Sequence, residues 1–175
     1  MILKLKRTPG IFLVGFMGCG KSVIGPVLAD RLGWSFADTD ADIEAEAHAS
    51  INEIFDRYGE QEFRRLETDA IRRRVRIIQA GKPMVVALGG GAFGQPQNFD
   101  LVENNGISIW LDCPLAIIRR RLQGATDRPL ARDPQKLDLL YYLRRETYAR
   151  ADYRIDILND DPEAAVASIL ALPIF

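Results

Sequence analysis

The stretch Ile11-Phe12-Leu13-Val14-Gly15-Phe16-Met17-Gly18-Cys19-Gly20-Lys21-Ser22 decides the fold. Its first four residues form an apolar run suited to a buried strand. The next eight match G-x-x-x-x-G-K-[ST], a phosphate-binding loop, and a helical stretch follows from Lys21 to Leu32. Glycines in such a loop remove Cβ atoms, so successive N–H groups can converge on an anion. The helix behind it adds unpaired N–H groups and the positive end of its dipole. Gly15, Gly18, Cys19, Gly20, Lys21, Ser22 and Val23 are the nucleotide-binding residues expected around this loop. Lys21 is expected on the β- and γ-phosphates and the Ser22 hydroxyl on Mg²⁺.

Outward from this loop, strand-like runs at 11–14, 34–37, 84–88, 107–111 and 153–157 alternate with helical stretches. That alternation predicts an α/β fold with a parallel sheet covered by helices. The 175 residues suit a single domain, 1–175. A net charge of −1 gives no pull toward nucleic acid or an anionic membrane. No apolar run approaches the roughly 18 residues of a spanning helix, and Met1 to Arg7 lacks the features of a signal peptide. Cys19 and Cys113 show neither metal spacing nor a disulfide framework, so the expected compartment is a reducing cytoplasm. Cys19 reads either as a thiol activated by the helix N-terminus or as a small residue tolerated in the loop.

Ser50-Ile51-Asn52-Glu53 resembles a capping box, and a longer helix is expected from about Glu60 to Gln79. The polar segment 123–134 reads as a mobile lid, framed by Arg121 and Arg128, that would carry arginine to the transferring phosphoryl group. Asp38 and Asp40 end the second strand, where alternation would put both on one side. One can hold Mg²⁺ through its water shell, and the other can accept or orient a hydroxyl proton. Alternatively, Thr39 or Asp40 caps a helix beginning near Ala41.

Arg64 lies off the apolar stripe of the long helix, with Glu67 three residues on to steady it. Partly enclosed, it would suit a carboxylate; otherwise it is an ordinary solvated arginine. Arg144 carries the same two readings, and Arg72-Arg73-Arg74 with Arg76 reads as a solvated face. Gly89-Gly90-Gly91 follows the third strand, either as a flexible turn or because a ligand touches the backbone there. His48 has no nucleophile motif near it.

Taken in order, these motifs resemble the shikimate kinase family. The resemblance rests on the phosphate loop, Asp38-Thr39-Asp40, Ile43-Glu44, Ser50 to Phe55, Gly59-Glu60 with Phe63-Arg64, Gly89-Gly90-Gly91, Arg128-Pro129-Leu130, and Arg144 with Tyr148. It implies a P-loop kinase of three α/β/α layers, with a five-stranded parallel sheet in order 2-3-1-4-5. It also implies transfer of the ATP γ-phosphoryl group to the 3-hydroxyl of shikimate, in aromatic amino-acid biosynthesis. On that resemblance Ser22 and Asp38 hold Mg²⁺, and Asp40 binds the acceptor hydroxyls as base or positioner. Arg64 and Arg144 grip the carboxylate, with Glu67 behind Arg64, and Gly89, Gly90 and Gly91 face the ring. Lys21 and Arg128 stabilise the moving phosphoryl group, and Arg121 contacts adenine. The acceptor region would span about 38–80, and the protein would act as a monomer.

Three departures stand out. Val23 replaces a hydroxyl residue that would meet the α-phosphate, Glu146 replaces a proline beside Arg144, and Asn159-Asp160-Asp161 is acidic where a basic residue is common. Two rivals remain: a kinase for another hydroxy acid such as gluconate, and a nucleotide-dependent switch. Asp56-Arg57-Tyr58-Gly59 matches D-x-x-G but lies at a helix end, and no N-K-x-D sequence appears.

Overall fold

The computed structural model describes residues 10–124 and 133–175. Five strands, β1 (Gly10–Val14), β2 (Ser35–Asp38), β3 (Met84–Ala87), β4 (Gly106–Asp112) and β5 (Tyr153–Asp156), form one sheet in the order β2-β3-β1-β4-β5. All four pairings are parallel. Every residue of β1 and of β3 is buried, as expected of central strands covered on both faces. The helices are α1 (Lys21–Leu32), α2 (Thr39–Ala47), α3 (Ile51–Gln79), α4 (Pro96–Asn105), α5 (Leu115–Leu122), α6 (Pro134–Tyr148) and α7 (Pro162–Leu170). They pack around the sheet, α1 against α7 and α3 against α2 and α4. The result is the expected three-layer α/β/α arrangement, with strand bounds within a residue or so of those read from the sequence.

Helix α3 is two helices joined at a break. Its start is the expected capping box: the Ser50 hydroxyl accepts from the Glu53 N–H at 3.2 Å, and the Glu53 carboxylate accepts from the Ser50 N–H at 2.8 Å. Gly59, at φ 80° and ψ 174°, interrupts the helix, a conformation open to glycine alone at little cost. Beyond it, Phe63, Ala70, Ile71, Val75 and Ile78 are buried along one stripe.

A small second core of Ile43, Ile54, Phe63 and Ala70 lies between α2 and α3, apart from the main core on the sheet. Arg73 and Arg74 serve this junction, which corrects the solvated-face expectation for these two, whereas Arg72 and Arg76 are exposed as expected. Arg74 grips Asp42 with two hydrogen bonds of 2.7 and 2.5 Å, and Arg73 pairs with Glu46 at 2.5 Å. The partners belong to α2, so local spacing along α3 could not reveal them.

Candidate active site

The phosphate loop joins β1 to α1. Gly20 holds φ 106° immediately before the helix, and a Cβ on Gly15 would stand 2.8 Å from the Leu111 carbonyl oxygen. Lys21 folds over the loop, its Nζ donating to the carbonyls of Gly15 at 2.7 Å and Phe16 at 3.1 Å. Cys19 is fully buried, which favours the small-residue reading, and burial pushes the Cys113 thiol up to about 11.

Asp38 does two jobs. Its Oδ2 accepts from the Ser22 hydroxyl at 2.7 Å, while its Oδ1 accepts the N–H groups of Asp40 at 3.0 Å and Ala41 at 3.4 Å. Asp38 is therefore the cap, and α2 begins at Thr39; the expectation that Thr39 or Asp40 caps a later helix is corrected. Asp40 lies on the first turn of α2 and not on the strand, yet both carboxylates line the same cleft. The buried Thr39 hydroxyl donates to the Ala87 carbonyl at 3.3 Å and accepts from the Gly89 N–H at 3.2 Å. This bond fixes the start of α2 against the end of β3.

The three glycines are explained by their neighbours. A Cβ on Gly89 would lie 2.6 Å from Asp40 Oδ1 and 3.0 Å from Glu67 Oε2. One on Gly90 would lie 3.0 Å from an Arg144 guanidinium nitrogen, and one on Gly91 would lie 2.7 and 2.8 Å from those of Arg64. None of the three has a positive φ. They are thin backbone on which four charged side chains rest.

Arg64 is tucked in at 18% side-chain exposure and donates to Glu67 at 2.8 Å. Burial pushes the Glu67 carboxyl above its ordinary value, against the pull of Arg64. Arg144 reaches the site from α6, with its guanidinium 5.8 Å from the centre of the Phe16 ring. Tyr148, one turn on, donates to the Gly90 carbonyl at 2.6 Å, and burial raises its phenol well above the usual value. Glu146 is exposed and leaves Arg145 to a different partner, Asp112.

Arg121, at the end of α5, donates to the Gly18 carbonyl at 2.9 Å, to the Asn159 carbonyl at 3.2 Å and to Asp160 at 2.9 and 3.0 Å. The acidic loop is thus partnered by the arginine expected at adenine, and Arg121 in turn holds Asp160 below the usual carboxylate range. Arg128, and residues 125–132 of the lid expected at 123–134, lie outside the described residues. His48 is an exposed helix end at φ 50°.

Two clefts result. One, of about 360 Å³, is lined by the phosphate loop, Val23, Arg121 and residues 159–162. The other, of about 760 Å³, is lined by Arg64, Glu67, Gly89, Gly91 and Arg144. They share Met17, Ser22, Asp38, Asp40 and Gly90. Glu44, Ile51, Asn52, Phe55 and Asp56 also line the second cleft, although sequence reasoning assigned them no role. The signal was the spacing of 51, 52, 55 and 56, which puts them on one face of the first half of α3.

Comparison with known proteins identifies the family. The family model described as shikimate kinase matches residues 17–172. A shikimate kinase of Geobacter sulfurreducens is 46% identical over 162 residues, covering 91% of this chain and 87% of that protein. The structure of a shikimate kinase from Acinetobacter baumannii in complex with shikimate superposes with a TM-score of 0.86 at 33% identity, covering 95% of this chain and 93% of that one. A gluconokinase from Sinorhizobium meliloti covers 95% of this chain and 92% of its own at a TM-score of 0.57, but at 18% identity it shares only the fold.

Proposed function

The chain belongs to the shikimate kinase family, and we propose that it transfers the γ-phosphoryl group of ATP to the 3-hydroxyl of shikimate, giving shikimate 3-phosphate and ADP. One observation carries the reading: the phosphate-loop cleft and the arginine-lined cleft meet at Ser22, Asp38, Asp40 and Gly90. A phosphoryl donor in the first and a hydroxyl acceptor in the second would face each other across Asp40.

Phosphoryl transfer asks the protein chiefly for alignment and charge stabilisation. In our reading, Arg64 and Arg144, whose guanidiniums rest against Gly91 and Gly90, bind the acceptor carboxylate. Glu67 fixes Arg64, and Gly89, Gly90 and Gly91 let the ring approach. Asp40 then accepts or orients the proton of the attacking hydroxyl. Lys21 leaves the loop carbonyls for the β- and γ-phosphates, the loop from Gly15 to Val23 cradles the nucleotide, and Arg121 flanks adenine. Arg128 would stabilise charge on the moving group.

The donor set also fits Mg²⁺. A hydroxyl and a carboxylate oxygen converge at 2.7 Å in the nucleotide cleft. Among the described residues no group of three or more His, Cys, Asp or Glu side chains is arranged to cage a metal. That is the pattern of an ion shared with substrate phosphates, held here by Ser22 and, through water, Asp38. When bound, the ion would neutralise charge on the phosphate oxygens.

The same reading makes the enzyme a cytoplasmic monomer of one domain, with its acceptor-binding part at about 38–80. Among the described residues no helix is long and apolar enough to cross a membrane. The test is an acceptor panel with Mg·ATP: shikimate, quinate, gluconate and water. Transfer to shikimate is expected. Transfer to gluconate without shikimate, or hydrolysis that needs no acid, would overturn the proposal.

A further inference from the structure

Tyr141, Arg144, Arg145 and Tyr148 recur at helical spacing on α6; Arg144 lines the acceptor cleft, and Tyr148 bonds the Gly90 carbonyl. Arg145 turns toward the sheet instead. It grips both oxygens of Asp112, at 2.5 and 2.9 Å, and donates to the Tyr141 hydroxyl at 2.9 Å. Asp112 closes β4 and is 7% exposed. The Tyr141 hydroxyl donates to the Cys113 carbonyl at 2.9 Å, and its ring meets Phe16 of the phosphate loop edge-on, 5.4 Å between centres. The Arg145 guanidinium also lies 4.9 Å from the Trp110 ring centre. The next residue back, Arg144, leans on the other partner of Tyr141, the Phe16 ring.

We propose that Arg145 is a positioning residue. Its two-pronged hold on Asp112 fixes the rotation and height of α6, and so sets where the Arg144 guanidinium meets the acceptor carboxylate. The inference rests on the reading of Arg144 as a carboxylate ligand.

A plainer role would be to neutralise buried Asp112. Arg154 can share that role, since it pairs with Asp112 at 3.0 Å. But Arg154 is on β5, and its partners are Asp112, Asp156 and Trp110, none of them on α6. The two arginines therefore separate charge compensation from positioning.

The test compares Arg145→Lys, Arg154→Gln and Arg144→Ala by steady-state kinetics and thermal denaturation. Arg145→Lys keeps a charge beside Asp112, so the fold survives, but an ammonium cannot span both oxygens. It is expected to raise the KM for shikimate about tenfold, on the scale of a sub-ångström displacement of a binding group. The KM for ATP should stay within about twofold, as for an uncoupled site. Arg154→Gln should leave both within about twofold. Arg144→Ala should raise the KM for shikimate by about a hundredfold through loss of charged hydrogen bonds.

If Arg144→Ala raises that KM but Arg145→Lys does not, the inference fails and the site reading stands. It fails equally if Arg154→Gln matches Arg145→Lys, or if the KM for ATP rises in step. An unchanged KM in Arg144→Ala removes the site reading and the inference with it.

Discussion

Replacing Gly91 by alanine should damage acceptor binding without damaging the fold. The new Cβ would stand 2.7 Å from one Arg64 nitrogen, about 0.7 Å inside ordinary contact at 3.4 Å. Arg64 has to give way, and its movement is restrained by its ion pair. Its guanidinium is bonded to Glu67 at 2.8 Å, and Glu67 is 1% exposed and already packed beside Gly89. A shift of that size weakens a charge-assisted grip on the carboxylate, worth about 1.5–3 kcal/mol, or roughly 10- to 150-fold in KM for shikimate. The backbone itself is not strained, because Gly91 sits at φ −99°. Alanine there should even add about 0.4–1 kcal/mol by restricting the unfolded chain. Gly33→Ala is the converse: it sits at φ 67° with nothing within 4 Å of its Cβ position. It should cost about 1–2 kcal/mol of stability and leave KM alone. The assay is ADP release against shikimate at saturating ATP, with thermal denaturation alongside. If Gly91→Ala unfolds early but binds shikimate normally, the glycines serve chain flexibility and the clearance argument is wrong.

Asp38→Ala should lose about 1 kcal/mol from the α2 cap and raise the Mg²⁺ concentration needed for activity. Asp38→Asn should restore the thermal midpoint but not the Mg²⁺ response, and recovery of both would deny Asp38 any role at the metal. Because burial raises the Glu67 carboxyl, lowering pH through that raised value should protonate it, release Arg64 and raise the KM for shikimate. Stability should not fall from this group: a carboxyl with a raised folded pKa binds its proton preferentially in the folded state, so its contribution improves as pH falls. An acid limb in KM that persists in Glu67→Gln would refute the assignment. Arg128→Ala should lower kcat by about 10³ or more, as for arginines that stabilise phosphoryl transfer, with a smaller effect on ATP binding; normal turnover would deny it that role.

What was legible in the sequence was local. The phosphate loop, the five strands and the capping box each follow from residues within a few positions of one another, and the structure reproduces them. What was not legible was set across elements. Arg73 and Arg74 looked solvated because their partners, Glu46 and Asp42, lie on another helix. Asp40 was placed on a strand because two-residue alternation continues on paper past Asp38, whereas the Asp38 carboxylate turns the chain into α2 there. Glu44, Ile51, Asn52, Phe55 and Asp56 carry no individual role in the sequence reading because apolar and polar residues at that spacing describe any amphipathic helix.

The two halves of the site are consequently held by different forces. The nucleotide side hangs on the sheet: the loop leaves β1 and Asp38 ends β2, both at the carboxyl edge where ligands of such folds gather. Its geometry is tied to strand pairing and to a core that is almost wholly buried. The acceptor side hangs on helices. Arg64 is placed by α3, which rests on the small core of Ile43, Ile54, Phe63 and Ala70 and on the Arg73 and Arg74 pairs to α2. Arg144 is placed by α6, which rests on Asp112 and Phe16. Loss of a buried contact on that side moves an arginine before it threatens the sheet. Ile54→Ala should therefore raise the KM for shikimate well before it lowers the affinity for ATP. A parallel loss of both would mean that the two clefts share one rigid support.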